Sequence, residues 1–385
     1  MGQREVLISG AGLAGPALAH WLRRGGLRPT VVERAPALRD GGYKVDVRGS
    51  AVEVLKRMGL FEAARAADTG MRTVTYVRAD GGRIATLDAD LLMGRRGDDL
   101  EIMRTDLVKI LAGGEPIVFG DSIASLRETP GGVDVTFASG GSRRFDLVVG
   151  ADGLHSATRR SVLGEVPLRH LGAYISIFDV PLDLGLDREE VFFSDPGRMV
   201  FAYQTGPGDP ARVGMVFAST PLGPVRPKQV LRERFAGMGW RVDSFLDALD
   251  AGPEPYFDSL SQVELPHYSA GRVALLGDAA YCPSPAAGQG TSLALVGAYV
   301  LGRALAATDD HAAAFDRYET VMRPYAEKNL AYGRKMAGDM VPGGRWSLAF
   351  RNYGMRTLRF NPWKRQIIDQ VTKPLHVAAN AVDLS

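Results

Sequence analysis

Residues Arg4–Pro36 read REVLISGAGLAGPALAHWLRRGGLRPTVVERAP. Val6–Ser9 is a short β-rich run, and Leu13–Arg24 suits a helix that stops at Gly25-Gly26. Pro29–Glu33 is a second short apolar strand. Between the first strand and the helix, Gly10-Ala11-Gly12-Leu13-Ala14-Gly15 spells G-x-G-x-x-G. In that pattern the first glycine permits a tight turn and the second lets backbone approach a diphosphate. The third lets helix and strand pack closely. The spacing predicts an α/β, Rossmann-like domain with an anion on the helix N-terminus, where free N–H groups and the helix dipole favour negative charge.

Glu33, with Arg34 beside it, falls about 20 residues beyond the turn, at the end of the second strand. A carboxylate there accepts both ribose hydroxyls and repels a 2′-phosphate. The pattern therefore points to FAD or NAD and leaves the two open.

The rest of the composition narrows the class by exclusion. At 385 residues the chain is long for one core, which favours two domains. Hydrophobic residues at 45% and charged residues at 23% are ordinary for a soluble protein, and a net charge of +2 gives no reason to expect nucleic acid. No apolar run reaches a membrane span, and the first residues lack the features of a signal peptide. The single cysteine, Cys282, excludes an intrachain disulfide, and the six histidines show no metal-ligating spacing. A cytoplasmic, metal-free protein is expected.

Along the chain, Ala51–Leu60 has helical spacing, and Val74–Leu87 reads as a hairpin about Asp80-Gly81-Gly82. Ser122–Thr129 and Val133–Ala138 form a second alternating pair. From Leu168 to Val263 strand-like segments dominate, with helices at Gln229–Phe235 and Val242–Asp250. This predicts an inserted antiparallel sheet. Helical texture returns through Leu293–Ala307 and His311–Tyr325, and Trp346–Ser385 holds helical pieces expected to break at Pro362 and Pro374. The expected division is 1–70, 101–165 and 265–330 for the nucleotide domain, 71–100 and 166–264 for the substrate domain, and 331–385 for a C-terminal helical tail. That tail is dense in aromatic residues, and it is expected to pack back over the substrate domain.

Two further motifs decide between the nucleotides. Phe145–Arg160 reads FDLVVGADGLHSATRR, and Val273–Ser292 reads VALLGDAAYCPSPAAGQGTS. With the first motif they resemble the class A FAD-dependent monooxygenases, the family of para-hydroxybenzoate hydroxylase and tetracycline-modifying enzymes. Gly150, Ala151, Asp152, Gly153, Ser156 and Arg159 match its second signature; Gly277, Asp278, Pro285, Gly288 and Gly290 match its third. The resemblance implies non-covalent FAD, with Asp152 near the diphosphate and Asp278 on the ribityl chain. It places the Pro/Gly loop beside the isoalloxazine, and the helix beginning at Thr291 points its N-terminus at the ring. Arg104, at an R-x-x-L helix start, is expected at the diphosphate and ribityl region. Asp46 and Arg48, in GYKVDVR, are expected at the ring or the cleft mouth, with an exposed charged strand as the alternative.

Three positions depart from the family pattern: Tyr281 stands where histidine is common, Ser292 where asparagine is, and Gly297 where an acid is. The implied reaction is hydroxylation of an aromatic, phenolic or polyketide-like molecule by NADPH or NADH, FAD and O2 through a flavin C4a-hydroperoxide. A reductase on the same fold, or a flavoprotein that sequesters an apolar ligand, stays open. Natural-product biosynthesis or drug modification is the expected setting, and the chain is expected to be a monomer or homodimer. No residue declares itself as a catalytic base, Arg48 and Tyr281 being the weak candidates. Met199, Phe201 and Tyr203 alternate on one strand, and Met215 and Phe217 on another. Either face suits an apolar substrate pocket or packing against helices. Ile177 and Gly214 replace polar contacts of the tetracycline-modifying members, which favours a flatter or more apolar ligand.

Overall fold

The computed structural model describes residues 3–38, 42–358 and 360–384. Its first strand, Glu5–Ser9, lies between Arg28–Glu33 and Leu147–Gly150, parallel to both. Ile117–Phe119, Val273–Leu275 and the short Ser269–Ala270 complete this six-stranded sheet. A parallel strand is covered on both faces, and the period of two sorts its side chains between them. Val6 and Ile8 join Val31 and Val149 in the main core, beneath helices Ala14–Arg24 and Gly290–Ala307. Leu7, Val32 and Val148 point the other way, onto the three-stranded sheet formed by Ile123–Thr129, Gly132–Phe137 and Ser142–Phe145.

The second large sheet has seven strands in the order 256–262, 169–180, 211–218, 198–204, 189–195, 73–77 and 83–88. The hairpin Thr73–Val77/Arg83–Asp88 joins its edge through the sheet's one parallel pairing, with Glu189–Asp195. Helices Pro227–Phe235 and Val242–Ala251 bury one face of this sheet. The other face looks toward the nucleotide domain. A two-stranded ribbon, Lys44–Val47 with Leu100–Met103, lies between the two sheets and leads into helix Arg104–Ala112.

Two helices run through prolines, and at one of them, Pro374, the sequence predicts a break. His311–Met340 continues past Pro324, and Lys364–Ala379 contains Pro374. An internal proline costs about 3 kcal/mol through its missing N–H and ring clash. Both helices keep a buried stripe across it: Met322, Tyr325, Ala326 and Asn329 in the first, Ile368, Thr372, Leu375 and Ala378 in the second. Packing on that stripe outweighs the local penalty.

The tail also divides differently from expectation. Arg345–Leu358 touches strands 83–88 and 189–195 of the substrate sheet but buries none of its residues, leaving Trp346 90% and Phe350 79% exposed. Lys364–Ala379 packs instead on the long helix 311–340, and Leu384 enters the main core. Among the described residues one helix, Gly290–Ala307, is long and apolar enough to cross a membrane, and it is the buried central helix.

Candidate active site

A cavity of about 400 Å³ lies between the two sheets, and all three glycine-containing motifs reach it. The first supplies its floor. Gly10 has φ +109°, and a Cβ there would sit 2.5 Å from the carbonyl oxygen of Ala151 in the second motif. A Cβ at Gly15 would run into the Gly10 carbonyl. These two glycines serve close packing. Gly12 is the open one, since a Cβ there meets only Arg104 Nη2, at 3.5 Å. Glu33 accepts N–H bonds from Ala11 and Ala35, each 2.9 Å, which fixes its carboxylate against the turn. Arg34 beside it is exposed to solvent and lies outside the cavity lining.

Strand Val273–Leu275 delivers Asp278 through Gly277, whose φ of +64° brings it against Ala14 of the first motif. Asp278 borders the cavity with Arg104, Pro285, Gly288, Gly290 and Thr291. Burial raises its pKa, opposed by a hydrogen bond from Cys282 and by Arg104. A Cβ at Gly290 would lie 3.6 Å from Asp278 Oδ1, and one at Gly288 3.9 Å from Asp46 Oδ2, so both glycines keep the surface bare. Helix Gly290–Ala307 begins without a side-chain cap, leaving its first N–H groups for a ligand. Gln289, fully buried between the two glycines, has no partner for either amide atom among the described residues.

A half-buried carboxylate facing a cavity, an uncapped helix start, an orphaned amide and three bare glycine surfaces fit a ligand with a diphosphate, hydroxyls and a flat polar ring. FAD is such a ligand. Gly12 and Arg104 would hold the diphosphate, Asp278 the ribityl hydroxyls, and the 288–291 turn the ring.

Several expected site residues are placed elsewhere. Asp152 accepts from Ser156 Oγ and from the N–H and hydroxyl of Thr158, both 3.0 Å, so its carboxylate holds the start of helix Ala157–Leu163. Among its neighbours, Arg159 is the cross-link: buried, it donates to the Ala279 and Leu154 carbonyls and ties the second motif to the third. Arg48 is turned away from the cavity. It pairs with Asp46 at 3.0 Å, its backbone N–H meets Ser292 Oγ at 3.3 Å, and it borders a surface groove with His376 and Asn380.

Tyr281 lies behind the site, its hydroxyl 2.9 Å from that of Tyr318 and wedged against Gly297. A side chain at Gly297 would occupy the same space as the Tyr281 hydroxyl, so two of the three departures from the family pattern fit each other. Met215 and Phe217 point into the helix-covered core with Leu231 and Phe235. Antiparallel pairing explains this: Met199 faces Val216 and Phe201 faces Gly214, so 215 and 217 belong to the opposite face. Met199, Phe201 and Tyr203 do line the cavity.

The substrate end holds a charged cluster that sequence reading missed. Lys44 Nζ lies 3.0 Å from Glu101 Oε2 and 2.8 Å from Glu190 Oε2, and Arg95 Nη1 lies 2.7 Å from Glu101. Burial opposes the Lys44 charge, yet Glu101 and Glu190 hold its pKa above the usual value. Burial also works on both carboxylates. Lys44, Arg95 and a bond from Thr69 draw Glu101 below its ordinary range, whereas Glu190, with Lys44 shared and Glu101 nearby, stays above it. An expectation of an apolar pocket is thereby corrected at this end. The available signal was an acid inside an apolar strand, as in Leu100-Glu101-Ile102; Glu190 follows Asp187-Arg188-Glu189 and reads as the charged start of its strand.

A family model described as FAD binding domain matches residues 3–332. A protein named flavin-dependent monooxygenase, from an unknown prokaryotic organism, is 40% identical over 340 residues, covering 86% of this chain and 88% of that protein. One of the same name from Legionella longbeachae serogroup 1 (strain NSW150) is 36% identical, covering 86% and 87%. Among solved structures, tetracycline destructase Tet(55) superposes with a TM-score of 0.86 at 36% identity, over 100% of this chain and 99% of that one. Klebsiella pneumoniae HpxO complexed with FAD and uric acid shares the fold, with a TM-score of 0.76 at 24% identity over 97% and 96%.

Proposed function

The chain belongs to the FAD binding domain family and is a flavin-dependent monooxygenase, and on that premise we propose that it uses NADH or NADPH and O2 to hydroxylate an electron-rich aromatic, phenolic or polyketide-like small molecule. Bound in the cleft, FAD supplies the redox and oxygen-transfer chemistry. The chain's own residues supply position and polarity. Arg104 meets the diphosphate charge, Asp278 accepts from the ribityl hydroxyls, and the helix start at Gly290 offers N–H groups to negative charge on the ring. Tyr43 and Tyr256, with ring centroids 5.8 Å apart, border the cleft and help keep water out.

The observation that carries this reading is the continuity of the cavity. It runs from Gly12, Arg104 and Asp278 to the face formed by Ile177, Phe192, Met199 and Phe201. The likeness to tetracycline destructase supports a polycyclic or enolised acceptor. The test is turnover of purified, FAD-loaded protein with NADH or NADPH under labelled O2, over a panel of phenols and natural-product scaffolds. The expected result is substrate-stimulated oxidation of the nicotinamide with one labelled oxygen in the product. Equal turnover without O2 would make the enzyme a reductase. Tight ligand binding with no product would make it a sequestering flavoprotein.

A further inference from the structure

Glu190 and Tyr203 are directly opposite each other on the antiparallel strands Glu189–Asp195 and Arg198–Gln204. Cross-strand partners of this kind have Cβ atoms about 5 Å apart on one face of the sheet. Both are buried, and both border the cavity. Each also has hydrogen-bonding capacity left over. Glu190 Oε2 takes Lys44 Nζ at 2.8 Å, while Oε1 has no hydrogen bond among the described residues. The Tyr203 hydroxyl accepts the Lys44 backbone N–H at 3.1 Å, and its own O–H donates to none of them. Glu101, by contrast, is spent on Thr69, Lys44 and Arg95.

The next opposed pair on the same face is Phe192 and Phe201, with ring centroids 5.7 Å apart. Beyond Phe201 comes Gly214, where any side chain would collide with the Phe201 ring. A free acceptor, a free donor and a charged lysine thus stand at one end of an aromatic wall kept flat by a glycine. Buried polar groups of this kind need partners, and the cavity is the direction from which one can come.

We infer that Glu190 and Tyr203 form the polar recognition element for the substrate, taking a planar hydroxyaryl ketone or enolised diketone whose hydroxyl donates to Glu190 Oε1 and whose neighbouring carbonyl accepts from Tyr203. Phe192 and Phe201 hold the flat ring. Lys44, 5.0 Å from the Tyr203 ring centroid and paired to Glu190, opposes the burial that raises the Glu190 pKa and fixes the carboxylate through Oε2. A hydroxyl donating to that carboxylate gains electron density, which suits an acceptor of electrophilic oxygen. Glu190 is therefore the group closest to the base that no sequence motif supplies. This deepens the monooxygenase reading and rests on it for the position of the substrate.

The test is equilibrium binding to the FAD-loaded enzyme, followed by calorimetry and by the flavin absorbance. The probes are 2,4-dihydroxyacetophenone, its methyl ethers, and 4-ethylresorcinol, which lacks the carbonyl. The wild-type protein is expected to bind the dihydroxy ketone at least about tenfold more tightly than an ether, the range of a hydrogen bond to a charged acceptor. Glu190→Gln should reduce that preference to about threefold or less. Tyr203→Phe should weaken the ketones and leave 4-ethylresorcinol unchanged.

A wild-type enzyme that binds none of these probes, or shows no preference for the free hydroxyl, overturns the inference. So does a Glu190→Gln variant that keeps the full preference with normal FAD content. If Glu190→Gln does not fold, the wild-type ether comparison and Tyr203→Phe still decide it. Oxygen incorporation is read separately. Binding with the stated preference but without labelled product refutes the monooxygenase reading, whereas labelled product without the preference refutes only this assignment.

Discussion

Replacing Gly297 by alanine tests whether Tyr281 and Gly297 are a fitted pair. A Cβ on Gly297 would overlap the Tyr281 hydroxyl and come within 3.3 Å of Cζ and 2.9 Å of Leu276 Cδ1. Tyr281 has little room to retreat. Tyr281 is held by Tyr318, whose hydroxyl also reaches the Leu275 carbonyl at 2.9 Å, and its ring packs edge-on to Tyr268. Overpacking of this kind costs roughly 1–3 kcal/mol. At about 2.1 cal/mol/K per residue, a loss near 2 kcal/mol lowers the melting temperature of a chain this size by about 2–3 °C.

Tyr281→Phe alone loses one hydrogen bond, about 1 kcal/mol, because Tyr318 keeps its bond to Leu275. It also removes the atom that clashes. The double variant should therefore be more stable than the sum of the two single losses, with a coupling of about 1–2 kcal/mol. The helix 290–307 carries both Gly297 and the turn at Gly290, so Gly297→Ala should release FAD more readily and the double variant should recover it. Denaturant or thermal unfolding of the holoenzyme with flavin fluorescence reads both effects. Additive losses, or a Gly297→Ala protein as stable as wild type, would refute the fitted pair.

Three other outcomes are expected. Asp278→Ala should weaken FAD binding by about tenfold to a hundredfold, the value of hydrogen bonds to a carboxylate, as measured by flavin fluorescence during dialysis. Asp152→Ala should instead lower stability by about 1–2 kcal/mol through loss of its bonds at the helix start, with FAD affinity changed far less; equal FAD loss in both variants would return Asp152 to the cofactor site. His155 should titrate above its usual pKa of 6.5, because Asp258 accepts from it at 3.0 Å against a smaller opposing effect of burial. Since the folded pKa is raised, this contact's stabilisation is complete below 6.5 and is lost as pH rises through the folded value. Asp258→Asn should remove the shift in an NMR titration.

Residues close in sequence made the nucleotide half of the site legible. The G-x-G-x-x-G turn, Asp278 and the 288–291 loop each work through backbone geometry set within a few residues, and spacing encodes such geometry directly. Strand pairing obeys no such local rule. Whether Met199 or Met215 faces the cleft depends on which face the helices 227–235 and 242–251 cover, and one step of register exchanges the two. Asp152 is ambiguous in sequence for a related reason: an acid after a strand suits a ligand or the next helix equally well, and only the fold shows its carboxylate bonded to Ser156 and Thr158. Lys44, Glu101 and Glu190 come from separate strands, with Glu190 146 positions from Lys44. The sequence by itself determined a nucleotide cradle, its glycines and its acid. The tertiary structure alone decided which polar groups remain unpaired at the far end, because that depends on what every neighbouring side chain has already bonded.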